Sequence, residues 1–544
     1  MSVPSPPEMP LLRAAALLLV ALGVTACDPR DPEPEAPPGE LGMVDFPTSC
    51  SDEAQGLLDQ GLILLHHMMY TQAEDTFELA VQLEEDCAMA HWGLAMVQFQ
   101  PLWPGEPSPT RLLTGREAVA RGLQLERTER EDGLLEALSM FYEGIEVPYQ
   151  VRLERWEMAM AELNEALPRD SEVATLYALS HLAVNPRDEF RQRRAAAILR
   201  PVHEEMPFHP GAIHYSIHAH DSAELAEDGI PFVEAYEEIL PEAPHALHTA
   251  SRPFLRLGEW DGVIEWNRRA ADAALEEPRA PLVSHHYPHA LDHLIYAYLQ
   301  KGQDRDAEGV LEELRRFDDF QPTFMSAYAL AAIPARWHLE RLDWEGATEL
   351  EPRIPGDFPW DGFPGAEAMT HMVRGIGLAR TGDLEGARAS MDRLEVLEGR
   401  EREADNPYWA DRVRVQRESV EAWIRLAEGE PSEAIEIMDN AAQLEEELAR
   451  PPVVLGALPP AHELLGDLIR STEIAGEWRA GLQAYEAALL IWPRRWHSLM
   501  GAAQMADLLT EFELADRLFE ELGELAEDAD PERMDEIREF RVGG

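Results

Sequence analysis

Lysine is almost missing from this chain of 544 residues: of 46 basic residues only Lys301 is a lysine, and the rest are arginine. A Walker-type phosphate loop and most lysine Schiff-base chemistry are thereby excluded. Cysteine is equally scarce, with three in all, so no cysteine-rich zinc module and no Cys-x-x-Cys redox motif can be built. Basic charge is short as well. Against 103 acidic residues it leaves a net charge of −57, and a polyanion of that size repels phosphate backbones, so no nucleic-acid partner is expected. No glycine-rich dinucleotide loop, His-Glu-x-x-His or Gly-x-Ser-x-Gly is present, and no residue is assigned a catalytic role. Apolar residues are not lacking. At 45% hydrophobic the chain can bury a core.

The one sustained apolar run is at the start. Arg13 precedes Leu17 to Val24, which is too short for a stable membrane span. The run ends in Val24-Thr25-Ala26-Cys27, which resembles a bacterial lipobox. That resemblance implies a leader over residues 1–27, lipidation of Cys27 and placement in a bacterial cell envelope. The chain would then face the periplasm or the exterior and touch membrane through the lipid anchor only. Residues 28–49 are rich in proline and acid and read as an unfolded tether. Cys50 and Cys87 remain. In an exported chain an even pair can close a disulfide, and two unlinked thiols are the alternative.

Residues 50–535 read as helix throughout, with residues 536–544 as a C-terminal tail. The periodicity is 3.6, and alternating strand patterns are absent. A register repeats along them. Gly258, Gly302, Gly382, Gly429 and Gly476 each follow a helix. Five residues later stand Val263, Ala307, Ala387, Ala434 and Gly481. Asn267, Leu311, Met391, Met438 and Tyr485 come next, and then Ala270, Leu314, Leu394, Ala441 and Ala488. A glycine permits a left-handed turn, a small residue lets the next helix approach, and the later positions share one face. Each unit is thus a helical hairpin. The register resembles tetratricopeptide (TPR) repeats. It implies an all-α, right-handed α-solenoid of about ten hairpins, with concave surface for a protein or peptide partner.

Histidine is concentrated. Eleven of nineteen lie between His203 and His293. His214 and His218 are i,i+4 on one helix. His245 and His289 stand at the same interval before their turn glycines, and His248 and Asp292 follow each by three residues. In the TPR resemblance these slots face the groove. The expected ligand groove is therefore His214, His218, His245, His248, Arg252, His289, Asp292 and His293. Imidazoles from adjacent helices suit a divalent metal such as zinc or copper, with His214, His218, His245, His248 and His289 converging on one point. Segments such as Pro244-His245-Ala246-Leu247-His248 and His289-Ala290-Leu291-Asp292 resemble a group of exported bacterial TPR proteins. Members commonly carry histidine where this chain has Gln100 and Arg252, which takes two ligands from any shared set. The reading is an envelope-anchored TPR lipoprotein binding a protein or peptide in its groove. A metal-binding protein or metalloenzyme using the histidines is the alternative.

Overall fold

The computed structural model describes residues 41–542, apart from 104–105, 145, 240–242, 277–281, 449–457 and 473. The leader, Cys27 and most of the expected tether lie outside the described residues. Residues 41–49 depart from the tether reading. They carry Leu41, Met43, Val44 and Phe46, which is enough apolar surface to dock. Phe46 is buried against Trp92, and Met43 N–H donates to Phe208 O at 3.0 Å.

The described chain is helical, and its extended pairing is confined to an isolated bridge between Val283 and Phe320. No described helix is long and apolar enough to cross a membrane. Successive helices pair as hairpins: Asp52–His66 with Tyr70–Leu83, Ala88–Phe99 with Pro109–Gly122, and so on to Trp496–Leu508 with Phe512–Leu525. The fold is an all-α solenoid of TPR-like hairpins, twelve of them among the described residues, followed by a last helix, Pro531–Val542. That helix runs through most of the expected tail.

The repeat register has its expected physical basis. Val263, Ala307, Ala387 and Ala434 are fully buried, and so are Met438, Tyr485, Leu394, Ala441 and Ala488. Four of the five turn glycines have positive φ: Gly258, Gly302, Gly382 and Gly429. Gly476 does not, and it lies in a single 3-10 turn, Ala475–Glu477. Three other hairpins turn on left-handed residues that are not glycine, namely Met68, Leu342 and Thr510. They account for repeats that glycine spacing did not reveal.

The solenoid folds back on itself. Trp260 Nε1–H donates to Arg494 O at 3.1 Å, Trp496 N–H to Gln300 Oε1 at 2.9 Å, and Asp530 N–H to Gly302 O at 2.9 Å. A Cβ on Gly258 would stand 2.7 Å from Pro493 O, so this glycine serves both the turn and the contact. Arg495 is buried at the seam between Glu340 and Glu463, with bonds of 2.7–2.9 Å, and also donates to Tyr296 Oη. At the other end Ser49 donates to Glu131, whose carboxylate also closes a capping box with Thr128. Cys50 and Cys87 are joined as a disulfide with Cα atoms 5.2 Å apart, tying the start of the first hairpin to the start of the second.

Candidate functional site

The histidines lie in the interior. The helices Pro210–Ala219, Pro244–Ala250 and His286–Gln300 are the first helices of three consecutive hairpins and pack in order. Each starts with proline near its first turn or within it, where a missing N–H costs nothing. All eight expected groove residues are 0–3% exposed. An open, solvated groove at these residues is therefore corrected to a buried array. Its cover comes from segments remote in sequence. Trp103, from the proline-rich insertion after the second hairpin's first helix, lies 5.1 Å from His245 between ring centroids. His67, just after the first helix, approaches His214 at 6.4 Å between ring centroids.

Convergence of five histidines on one point is also corrected. The array divides into two triads: His214, His218 and His245, and His248, His289 and His293. In each, one ring nitrogen per residue lies within 4.8 Å of the others. His245 and His248 face different triads because i,i+3 residues on a helix diverge by more than i,i+4 residues do, and their rings are 6.1 Å apart. His293 completes the second triad, since i,i+4 places it over His289. Asp292 points to the next hairpin and pairs with Arg336 at 2.7 Å, where both are buried. Arg252 pairs with Asp221, which Arg256 also binds at 2.7 Å.

A third cluster was not anticipated. Glu172 accepts from Nε2 of His66 and of His209, each at 3.0 Å. His209 Nδ1 caps its helix by accepting Ala212 N–H, and His66 Nδ1 meets Tyr215 Oη at 3.1 Å. Burial would raise the Glu172 pKa, but the two imidazoles hold it well below the usual carboxylate range. Here donors and acceptors alternate, so hydrogen bonds satisfy the cluster. Its parts are 106 residues apart in sequence, and spacing offered no signal for it.

The two all-histidine triads are different. Burial lowers the pKa of His248 to about 4 and of His218 to about 3, and carries His214, His245, His289 and His293 well below the ordinary value. All six are neutral at pH 7, with a lone pair on one nitrogen each. In the first triad His214 Nε2 and His218 Nε2 are 3.2 Å apart. Among the described residues, His214 Nδ1 and both nitrogens of His245 are buried with no hydrogen-bond partner. Chemically the array offers uncharged nitrogen donors in an enclosed site, and the Thr249 hydroxyl lies 3.4 Å from His214 Nε2.

An open cleft occurs elsewhere. About 520 Å³ in volume, it lies between the helices Asp304–Leu314 and Phe324–Leu339 and the segment 349–360. Leu311, Leu330, Pro334, Ile354 and Trp360 line it, and Arg315 and Arg353 stand at it. Phe358 and Trp360, in the segment that precedes the helix Pro364–Thr381, are buried on the solenoid.

No family model matches the chain, and no curated protein matches it. Solved structures similar to it include yeast Tom70, at 12% identity and a TM-score of 0.30, covering 90% of this chain and 96% of that one. A monomeric mutant of IFIT1 with Gppp-AAAA is similar at 12% identity and a TM-score of 0.33, covering 88% and 96%. Likeness at this level fixes neither a ligand nor a binding surface.

Proposed function

We propose that the chain is an envelope-anchored TPR-like lipoprotein that holds a protein or peptide partner. The observation that carries the partner is the cleft at Leu311, Leu330 and Trp360. It is apolar, open and placed where a helical hairpin meets an insertion, and helical-repeat proteins present such surface to extended ligands. The partner inserts apolar side chains. With −57 charges on the chain, a partner segment of basic or neutral character is favoured over an acidic one, and nucleic acid is disfavoured. The histidine array is too buried to serve as this surface.

The anchor rests on Val24-Thr25-Ala26-Cys27 and the proline-rich stretch after it. Cys27→Ser should leave an uncleaved precursor or move the chain to soluble fractions. Normal processing and membrane fractionation of that variant would remove the anchor from the account. For the partner, capture from envelope extracts by the wild type but not by Leu330→Glu is expected. Equal capture by both would place the partner away from the cleft.

A further inference from the structure

Asn267 occupies a seam position that holds Leu311, Met391, Met438 and Tyr485 in four other repeats. It is fully buried, and packing alone does not call for a carboxamide there. Its Nδ2 donates to Val263 O at 2.8 Å, which turns Oδ1 toward His248 Nδ1 at 2.9 Å. His248 therefore carries its proton on Nδ1 and bares Nε2. His293 Nδ1 lies 3.1 Å from the carbonyl oxygen of His289, one helical turn back, so it too is protonated on Nδ1 and bares Nε2. His289 Nε2 lies 3.2 Å from His248 Nε2. Two bared lone pairs thus belong to one triad with a third imidazole that has a single proton to offer. A cluster built only for packing alternates donors with acceptors, as His66, Glu172 and His209 do. This one collects acceptors.

We propose that His248, His289 and His293 bind one first-row transition-metal ion through Nε2, with a fourth position left for water or a small anion. Two nitrogens at about 2.0–2.1 Å from one tetrahedral ion stand about 3.3–3.4 Å apart. The 3.2 Å separation of the His248 and His289 nitrogens fits that requirement, and a ring nitrogen of His293 lies within 4.8 Å of the other two ligand atoms. The other ring nitrogens of His248 and His293 are each held by an oxygen, the arrangement that orients imidazole ligands in metal sites. Burial keeps the imidazoles neutral, which is the form that binds metal. The fixed cations acting on the cluster, Arg252 and Arg336, are each paired with a carboxylate, Asp221 and Asp292. Three neutral nitrogens with no carboxylate suit zinc or copper, and not calcium or magnesium. The neighbouring triad lacks these oriented ring N–H groups, and the proposal is confined to the anchored one. It is independent of the partner-binding cleft.

The test uses the full chain made without a polyhistidine tag, stripped with a chelator and loaded with Zn²⁺ or with Cu⁺ in separate arms. After gel filtration, about one ion per chain bound at this triad is expected in at least one arm, and the arm identifies the metal. His289→Gln should remove it. Asn267→Leu restores the apolar residue of the other repeats and so keeps the fold, checked by circular dichroism. It should weaken binding about 10–100-fold through loss of His248 orientation. Less than about a tenth of an ion in both arms would overturn the proposal. So would ion binding unchanged in Asn267→Leu and His289→Gln. If His289→Gln fails to fold, Asn267→Leu decides alone.

Discussion

His248 and Asn267 lie 19 residues apart on the two helices of one hairpin and are joined ring to carboxamide at 2.9 Å, with both side chains buried. In metal-free protein, Asn267→Leu leaves the His248 N–H without an acceptor, and an orphaned buried donor costs about 1–3 kcal/mol. A second substitution, His248→Leu, removes the orphan. Urea unfolding of both single variants and the double variant should therefore show coupling of about 0.5–3 kcal/mol. Strict additivity would mean that the pair is not a pair.

Arg495 is the charge that holds the closing contact. It sits between Glu340 and Glu463, each within 2.9 Å, and all three are at most 5% exposed. Removing one partner from a buried ionic set strands the rest, at about 3–5 kcal/mol. Arg495→Met should lower the unfolding free energy by that amount. A loss below about 1 kcal/mol would show that the seam is held by its apolar contacts alone.

The Cys50–Cys87 bond spans 37 residues. In the chain-entropy model a loop of this length contributes about 3–4 kcal/mol. The paired Cys→Ser variant should lose that much stability, and reductant should have the same effect on the wild type but none on the variant. Mass spectrometry of non-reduced peptides from exported protein should recover the two cysteines linked. Two free thiols would dismiss the bond.

One stability term depends on pH and stands clear of the histidine array. His497 Nε2 lies 2.8 Å from the Asp467 carboxylate, which also accepts from Tyr485 Oη at 2.6 Å. Burial works against the charged imidazole, but Asp467 prevails, and the His497 pKa is raised. A raised histidine pKa stabilises in full below the unfolded value, about 6.5, and its contribution fades as pH climbs through the folded value. Asp467 is shifted downward, so its contribution holds above its ordinary range and is lost only in acid. Wild-type stability should therefore fall from about pH 6.5 upward more steeply than that of His497→Gln. Parallel profiles would contradict the ion pair.

Much of the fold was legible because the repeat has a chemical cause. A left-handed turn wants glycine, and Gly258, Gly302, Gly382 and Gly429 all supply one. Where Met68, Leu342 or Thr510 takes the same backbone conformation, the turn carries no sequence mark. Histidine crowding was legible too, but its partition was not. Which nitrogen faces inward is decided by Asn267 and by the His289 carbonyl, and only the break in the apolar seam at Asn267 could have signalled it. Burial of the array was hidden for another reason. Trp103 and His67 reach it from more than a hundred residues away, and the return of Arg494 to Trp260 spans 234 residues. Spacing along a chain reports local faces and not such closures.

Partner binding at the cleft is tested most directly by site-specific photo-crosslinking in intact cells. Ile354 is 55% exposed at the cleft, and Phe190 is 75% exposed elsewhere on the solenoid. With a photoreactive phenylalanine at Ile354, one discrete higher-mass adduct is predicted, and with the same group at Phe190 none. No adduct from Ile354, or the same adducts from both positions, would contradict a partner seated in that cleft.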